Sequence, residues 1–278
     1  VKGRGGPWTT KKLGKVREYL EAWLKVMSRQ SWAKTVYIDA FSGSGEVILR
    51  DAAAPTAGSA LQAVGLDPPM AEYHLIEKSE KALKRLREQI AARHLDRLDR
   101  VSFHAGDVNA ILPALLERLT KKHRVVLFID PYGMQLEWST LQAIARCKAG
   151  VDLWLLVPTG MGLQRLATKT RSQMPASWGA KIDAFLGYKG WREKFYEPSR
   201  QTNFFGNEPE QVKVATLEML DQEVQDRIRA AGFPGVARNV LHLKDKTRVL
   251  YSLMFACSNP SPAAQAASMN IANHLLRE

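Results

Sequence analysis

Tyr37-Ile38-Asp39-Ala40-Phe41-Ser42-Gly43-Ser44-Gly45 is an apolar run that ends on a carboxylate and then breaks on two glycines. Short runs of β-branched and aromatic residues suit a buried strand. A Gly-x-Gly immediately after it lets the backbone turn tightly and approach a ligand closely. The stretch therefore predicts the first strand-to-helix turn of an α/β domain, with a ligand held at the turn.

Working outward, the same alternation repeats. Upstream, Leu13, Val16, Leu20, Trp23, Leu24 and Met27 follow helical spacing. They predict an amphipathic helix over 10–29 after a flexible basic lead over 1–9. Lys11, Lys12, Lys15, Arg17 and Lys25 form its charged face. Downstream, 47–55 reads as an inserted loop and 57–66 as a short helix. Apolar runs recur at 73–76, 100–105, 124–129 and 152–157, separated by helical patterns. Ser79 is placed to cap the helix built on Leu83, Leu86 and Ile90. Further helices are predicted over 111–120 and 137–147. Five apolar runs divided by helices predict a parallel sheet covered on both faces. The C-terminal part predicts a helix over 208–231, a hairpin turning at Lys244-Asp245-Lys246, and a final helix over 261–277.

Asp39, Glu77, Asp107 and Asp130 each follow a predicted strand. In an open parallel sheet, ligands bind beyond the carboxyl ends of the strands, where the strand order reverses. The four carboxylates are thus expected to converge on one crevice. The dinucleotide pattern Gly-x-Gly-x-x-Gly requires a third glycine at position 48, where this chain has Ile48. That substitution counts against a nicotinamide-dependent oxidoreductase, the least favoured of three functional readings.

Asp39 to Gly45, Glu77, Gly106-Asp107 and Asp130-Pro131-Tyr132-Gly133 resemble motifs I to IV of class I S-adenosylmethionine-dependent methyltransferases. More closely, the chain resembles the bacterial three-Cys-motif partner protein family. That likeness rests on the helix near Trp8-Thr9, the glycine turn, Ala57-Gly58-Ser59-Ala60-Leu61, Asp130 to Gly133 and 251–259. It implies a Rossmann-like class I methyltransferase fold over 1–278: a mostly parallel seven-stranded sheet with an antiparallel last strand, plus an inserted α-rich subdomain. It implies S-adenosylmethionine as cofactor. Asp39, Gly43 and Gly45 would approach its amino-acid end, Glu77 its ribose, and Asp107 with Val108 its adenine, with Phe41 also a cofactor contact. Asp130 completes that set. A second reading follows from the same likeness: a cofactor-binding subunit that works only with a radical-SAM-like, three-Cys-motif partner.

Asp130, Pro131 and Tyr132 are the expected catalytic residues. By the resemblance they stand where a transferred methyl meets its acceptor. An exocyclic amine on a base is a poor nucleophile, because its lone pair is delocalised into the ring. A carboxylate and a backbone carbonyl stiffened by Pro131 can hold its protons and favour a pyramidal nitrogen. Tyr132 offers a face on which a base can stack, and a duplex substrate requires its base flipped out first. The segment resembles the Asp/Asn-Pro-Pro-Tyr signature of amino-group methyltransferases without its second proline. It is closer to the version in tRNA guanine-N2 dimethyltransferases.

A formal charge of +12 favours a polyanionic partner, and nucleic acid is the expected one. Residues 158–207 form a connection too long for a minimal α/β domain and mix aromatic with basic residues. Most of those aromatics are expected in a local core. Arg165, Trp191, Arg192 and Lys194 are the candidates for substrate contact. Two distant cysteines and six scattered histidines give no metal-ligand spacing. No apolar run reaches the roughly 18 residues that span a bilayer, and the first residues lack a signal-peptide core, so a cytoplasmic protein is expected.

Overall fold

Successive residues of a strand point to opposite faces, and in the central strands of this chain both faces are apolar. Strands of the main sheet are numbered β1 to β8. In β4 (His123–Ile129), Val125, Leu127 and Ile129 enter one core cluster while Val126 and Phe128 enter the other. In β1 (Lys34–Asp39), Val36 and Ile38 face the first cluster and Tyr37 the second. Such strands need helices on both sides. The computed structural model describes residues 3–50, 54–199 and 209–277 and shows that three-layer arrangement.

The remaining strands are β2 (Glu72–Glu77), β3 (Val101–Ala105), β5 (Gly150–Val157), β6 (Gly235–Val236), β7 (Leu241–Asp245) and β8 (Arg248–Cys257). Their order is β3-β2-β1-β4-β5-β8-β6, with β7 also pairing β8. The pairs among β1 to β5 are parallel. β8 runs antiparallel to β5, and β6 and β7 run antiparallel to β8. The expected hairpin is present, with its turn at Lys246, which adopts a left-handed φ of 54°. The edge strand is interrupted between β6 and β7, so the sheet has eight strands where seven were expected.

The α-helices of five or more residues are α1 (Pro7–Met27), α2 (Ser59–Val64), α3 (Glu80–Arg93), α4 (Val108–Glu117), α5 (Trp138–Ala145), α6 (Ala176–Leu186), α7 (Trp191–Phe195), α8 (Leu217–Ala230) and α9 (Pro262–Leu275). Ser79 caps α3 as expected, accepting from the Ala82 N–H. α1 starts earlier than predicted because Pro7 occupies its first turn, where a missing N–H costs nothing.

Four expectations need correction. The predicted flexible lead contains a strand, Gly3–Gly5, which pairs in parallel with Glu46–Leu49. That second strand lies in the predicted loop and also pairs with Thr56–Ala57. The predicted helix over 208–231 begins only at Leu217; Gln211–Lys213 instead pairs with Tyr196–Pro198. Among the described residues the insertion has no separate core: Ile182, Phe185, Trp191 and Phe195 join the cluster that contains β4 and β5. Its predicted end at 207 lies outside the described residues.

Candidate functional site

The chain leaves β1 through a turn held from below. Asp39 is fully buried, and its carboxylate accepts from the Phe41 N–H at 3.2 Å and the Tyr37 hydroxyl at 3.2 Å. Burial pushes its pKa up to about 6, with the nearby Asp130 charge acting in the same direction and hydrogen bonds from Ser59 and Phe41 opposing. Gly43 and Gly45 both have positive φ, 61° and 87°. Their reasons differ. A Cβ on Gly45 would come 2.9 Å from Leu86 Cδ1, so that glycine lets α2 and α3 pack close to the turn. A Cβ on Gly43 would meet nothing within 4 Å, because this glycine borders open space.

Glu77 closes the turn from the neighbouring strand. Its Oε2 accepts from the Gly43 N–H at 3.0 Å and its Oε1 from the Ser79 N–H at 2.8 Å. Each oxygen keeps a further lone pair for a ligand. Together these residues border a cleft of about 850 Å³ beyond the carboxyl ends of β1, β2 and β4. Phe41, Gly43, Gly45, Glu77, Asp130 and Tyr132 all line it, and Val47 and Ile48 of the unexpected strand add an apolar wall.

Lys12 enters the same cleft from α1 and forms an ion pair with Asp130 Oδ2. Its side chain is only 8% exposed, and its ammonium stands 5.9 Å from the centre of the Phe128 ring. The sequence reading placed Lys12 on the solvated face. The missed signal was spacing: Thr9, Lys12, Val16, Tyr19 and Trp23 share one helical stripe, all buried.

Other candidates fall elsewhere. Asp39 lies beneath the cleft and shapes its turn. Asp107 and Val108 are outside the cleft lining. Asp107 caps α4 through the Asn109 N–H at 2.9 Å and faces Lys78 at 3.4 Å; that backbone bond lowers its pKa. Val108 is buried in the core. Pro131 is buried and Tyr132 is 72% exposed at the lip of the cleft. Partial desolvation and the nearby Asp130 and Glu77 charges raise the Tyr132 pKa.

Three of the four expected substrate contacts have partners within the protein, two of them inside the insertion and one on α8. Trp191 is fully buried, and its indole donates to Asp183 at 2.7 Å. Arg192 grips the same carboxylate with two bonds, of 2.5 and 3.1 Å. Lys194 pairs with Glu223 at 2.5 Å. Arg165 remains exposed. Among the described residues, no cluster of His, Cys, Asp or Glu could hold a metal ion, and no helix is long and apolar enough to cross a membrane.

Strand order reverses between β1 and β4, and the glycine turn and cleft stand at that reversal. With the antiparallel β8 inserted between β5 and the edge, one architecture accounts for the whole sheet. This is the class I methyltransferase fold. Protein LPL1258 from Legionella pneumophila shares it at 13% identity, with a TM-score of 0.51, over 98% of this chain and 93% of that one. Trm1 from Pyrococcus horikoshii, solved with S-adenosyl-L-methionine, is similar at 13% identity and a TM-score of 0.49, over 89% of this chain. This chain spans 55% of the Trm1 chain. TYW2 from M. jannaschii, solved with AdoMet, matches at 12% identity and a TM-score of 0.40, over 85% of this chain and 75% of that one. No protein-family profile matches the sequence, and no curated protein does. The likeness to LPL1258 bears on the architecture alone; the chemistry rests on the site.

Proposed function

We propose that the protein transfers a methyl group from S-adenosylmethionine to an amino nitrogen of a nucleic-acid base. One observation carries this reading: Gly43 and Glu77 line the same cleft as Asp130 and Tyr132. The residues fit the cofactor. Gly43 leaves side-chain-free space at the turn, and Glu77 presents two acceptor oxygens suited to a ribose diol.

When bound, S-adenosylmethionine supplies a methyl group activated by its sulfonium. The protein's part is to hold the acceptor. Asp130 Oδ2 takes the Lys12 ammonium, while Oδ1 has no hydrogen-bond partner among the described residues. Oδ1 therefore accepts one N–H of the incoming amine, and the Pro131 carbonyl accepts the other. Holding both protons draws the lone pair out of conjugation with the ring. The exposed Tyr132 ring offers a stacking face. Asp130 is placed to receive the proton that the nitrogen loses after transfer. Lys12 is a positioning residue, fixing the direction of the Asp130 carboxylate.

The test is transfer of labelled methyl to total RNA and DNA by the isolated protein. Asp130→Ala is expected to lose about a hundredfold or more in rate. Its affinity for S-adenosylhomocysteine, measured by calorimetry, is expected to stay within about threefold of wild type. Lys12→Met is expected to lower kcat while leaving the KM for the cofactor near wild type, and Lys12→Arg to recover part of the loss. Full activity in Asp130→Ala would overturn the assignment.

A further inference from the structure

Tyr132 also lines a second cavity, of about 380 Å³, beyond the carboxyl ends of β4 and β5. Its other walls include Gln135, Met161, Arg165, Trp178 and Lys181. Among the described residues no carboxylate lines it. Arg165 and Lys181 are exposed, and neither forms an ion pair or hydrogen bond with another described residue. Four other cations near it are committed. Arg192 holds Asp183, Lys194 holds Glu223, and Lys213 caps the carbonyls of Gln164 and Ala167. Arg227 stacks on Trp138, at 4.1 Å from its ring centre. Trp178 is half-buried, makes no ring contact with another described aromatic residue, and its indole N–H has no partner among the described residues.

Two unpaired cations and an unstacked indole, without a carboxylate, match a ligand that carries both phosphates and planar rings. An acidic peptide would satisfy the cations and leave Trp178 and Tyr132 without a stacking partner. The volume falls within the range of small-ligand pockets, about 300–1,000 Å³, and suits a nucleotide-sized group. A base inside a duplex has both faces covered, whereas a single strand presents them freely.

We propose that this cavity is the acceptor subsite and that it takes a single-stranded nucleic acid. Arg165 and Lys181 hold the phosphates beside the target nucleotide, and Trp178 stacks a flanking base. Tyr132 stacks the target base at the junction of the two cavities, with its amine toward Asp130. The proposal rests on Asp130 being the reactive end and adds the class of substrate and its route of entry.

The experiment measures anisotropy of labelled 12-nucleotide RNA and DNA of one sequence, single-stranded and duplex, with S-adenosylhomocysteine present. Arg165→Glu combined with Lys181→Glu is expected to weaken single-strand binding at least about tenfold. It is also expected to reduce the salt slope by about 1.4, at roughly 0.7 per phosphate contact. Trp178→Ala is expected to weaken it about fivefold or more, as for loss of one stacked base. Lys121→Glu with Lys122→Glu alters net charge equally at the opposite end of β4, and is expected to leave affinity within about twofold. Tighter binding of RNA or of DNA identifies the natural strand.

Equal losses in both charge-reversal pairs, no loss in either, tighter duplex binding, or no binding by the wild type would each overturn the proposal. Calorimetry with S-adenosylhomocysteine separates the two levels. Cofactor binding without strand binding rejects the subsite alone, and absence of cofactor binding rejects the methyl-transfer reading beneath it.

Discussion

Asp39 is a carboxylate with no exposure to solvent, yet its oxygens hold the Phe41 N–H and the Tyr37 hydroxyl that define the glycine turn. Its pKa lies near 6 against an ordinary value of 3.8, chiefly through burial. Between those values the folded protein binds this proton more tightly than the unfolded chain does. Stability from this group is therefore full below about pH 4 and is lost as pH rises through about 6. A shift of about two units corresponds to about 3 kcal/mol. Urea unfolding from about pH 3.5 to 7 is expected to show wild type losing that amount relative to Asp39→Asn. A constant difference between the two proteins across the range would contradict it. Val108 and Trp191 show the opposite outcome at this scale: the chemistry of each suited a ligand, and the fold placed both in the core.

Elements are joined by a second buried carboxylate. Asp152, in the middle of the apolar β5, accepts from Tyr19 at 2.8 Å and Trp23 at 2.9 Å on α1, and from Ser268 at 3.0 Å on α9. Burial raises its pKa, and these donors oppose the rise. Through this group both terminal helices are tied to the sheet, and α1 carries Lys12 to the cleft. Asp152→Ala leaves two buried donors, Tyr19 and Trp23, without an acceptor, at about 1–3 kcal/mol each before relaxation, and frees the half-buried Ser268 hydroxyl. A loss of about 3 kcal/mol is expected in equilibrium unfolding, which lowers Tm by about 6–12 °C. Asp152→Asn keeps one acceptor and is expected to lose less. A wild-type Tm in Asp152→Ala would mean that apolar contacts alone hold α1 and α9.

At the scale of the whole molecule, the charge of +12 acts on any polyanion before specific contacts form. Single-strand affinity is expected to fall at least about tenfold between about 50 and 200 mM salt, with log affinity linear in log salt. Binding unaffected by salt would remove the net charge as its source.

The parallel sheet, the antiparallel hairpin, the glycine turn and the position of Glu77 at the end of β2 were legible in the sequence. Each depends on alternation or turn chemistry within a few neighbouring residues. The contact between Lys12 and Asp130 joins positions 118 residues apart, and the strand Gly3–Gly5 exists only because Glu46–Leu49 lies beside it. Arg165 and Arg192 carry the same chemistry, yet one lines a cavity without a partner among the described residues and the other grips Asp183. Side-chain chemistry determined what each of these groups can bind. Only the tertiary structure decided which partner it has, because burial and pairing across the chain are set by how distant elements pack.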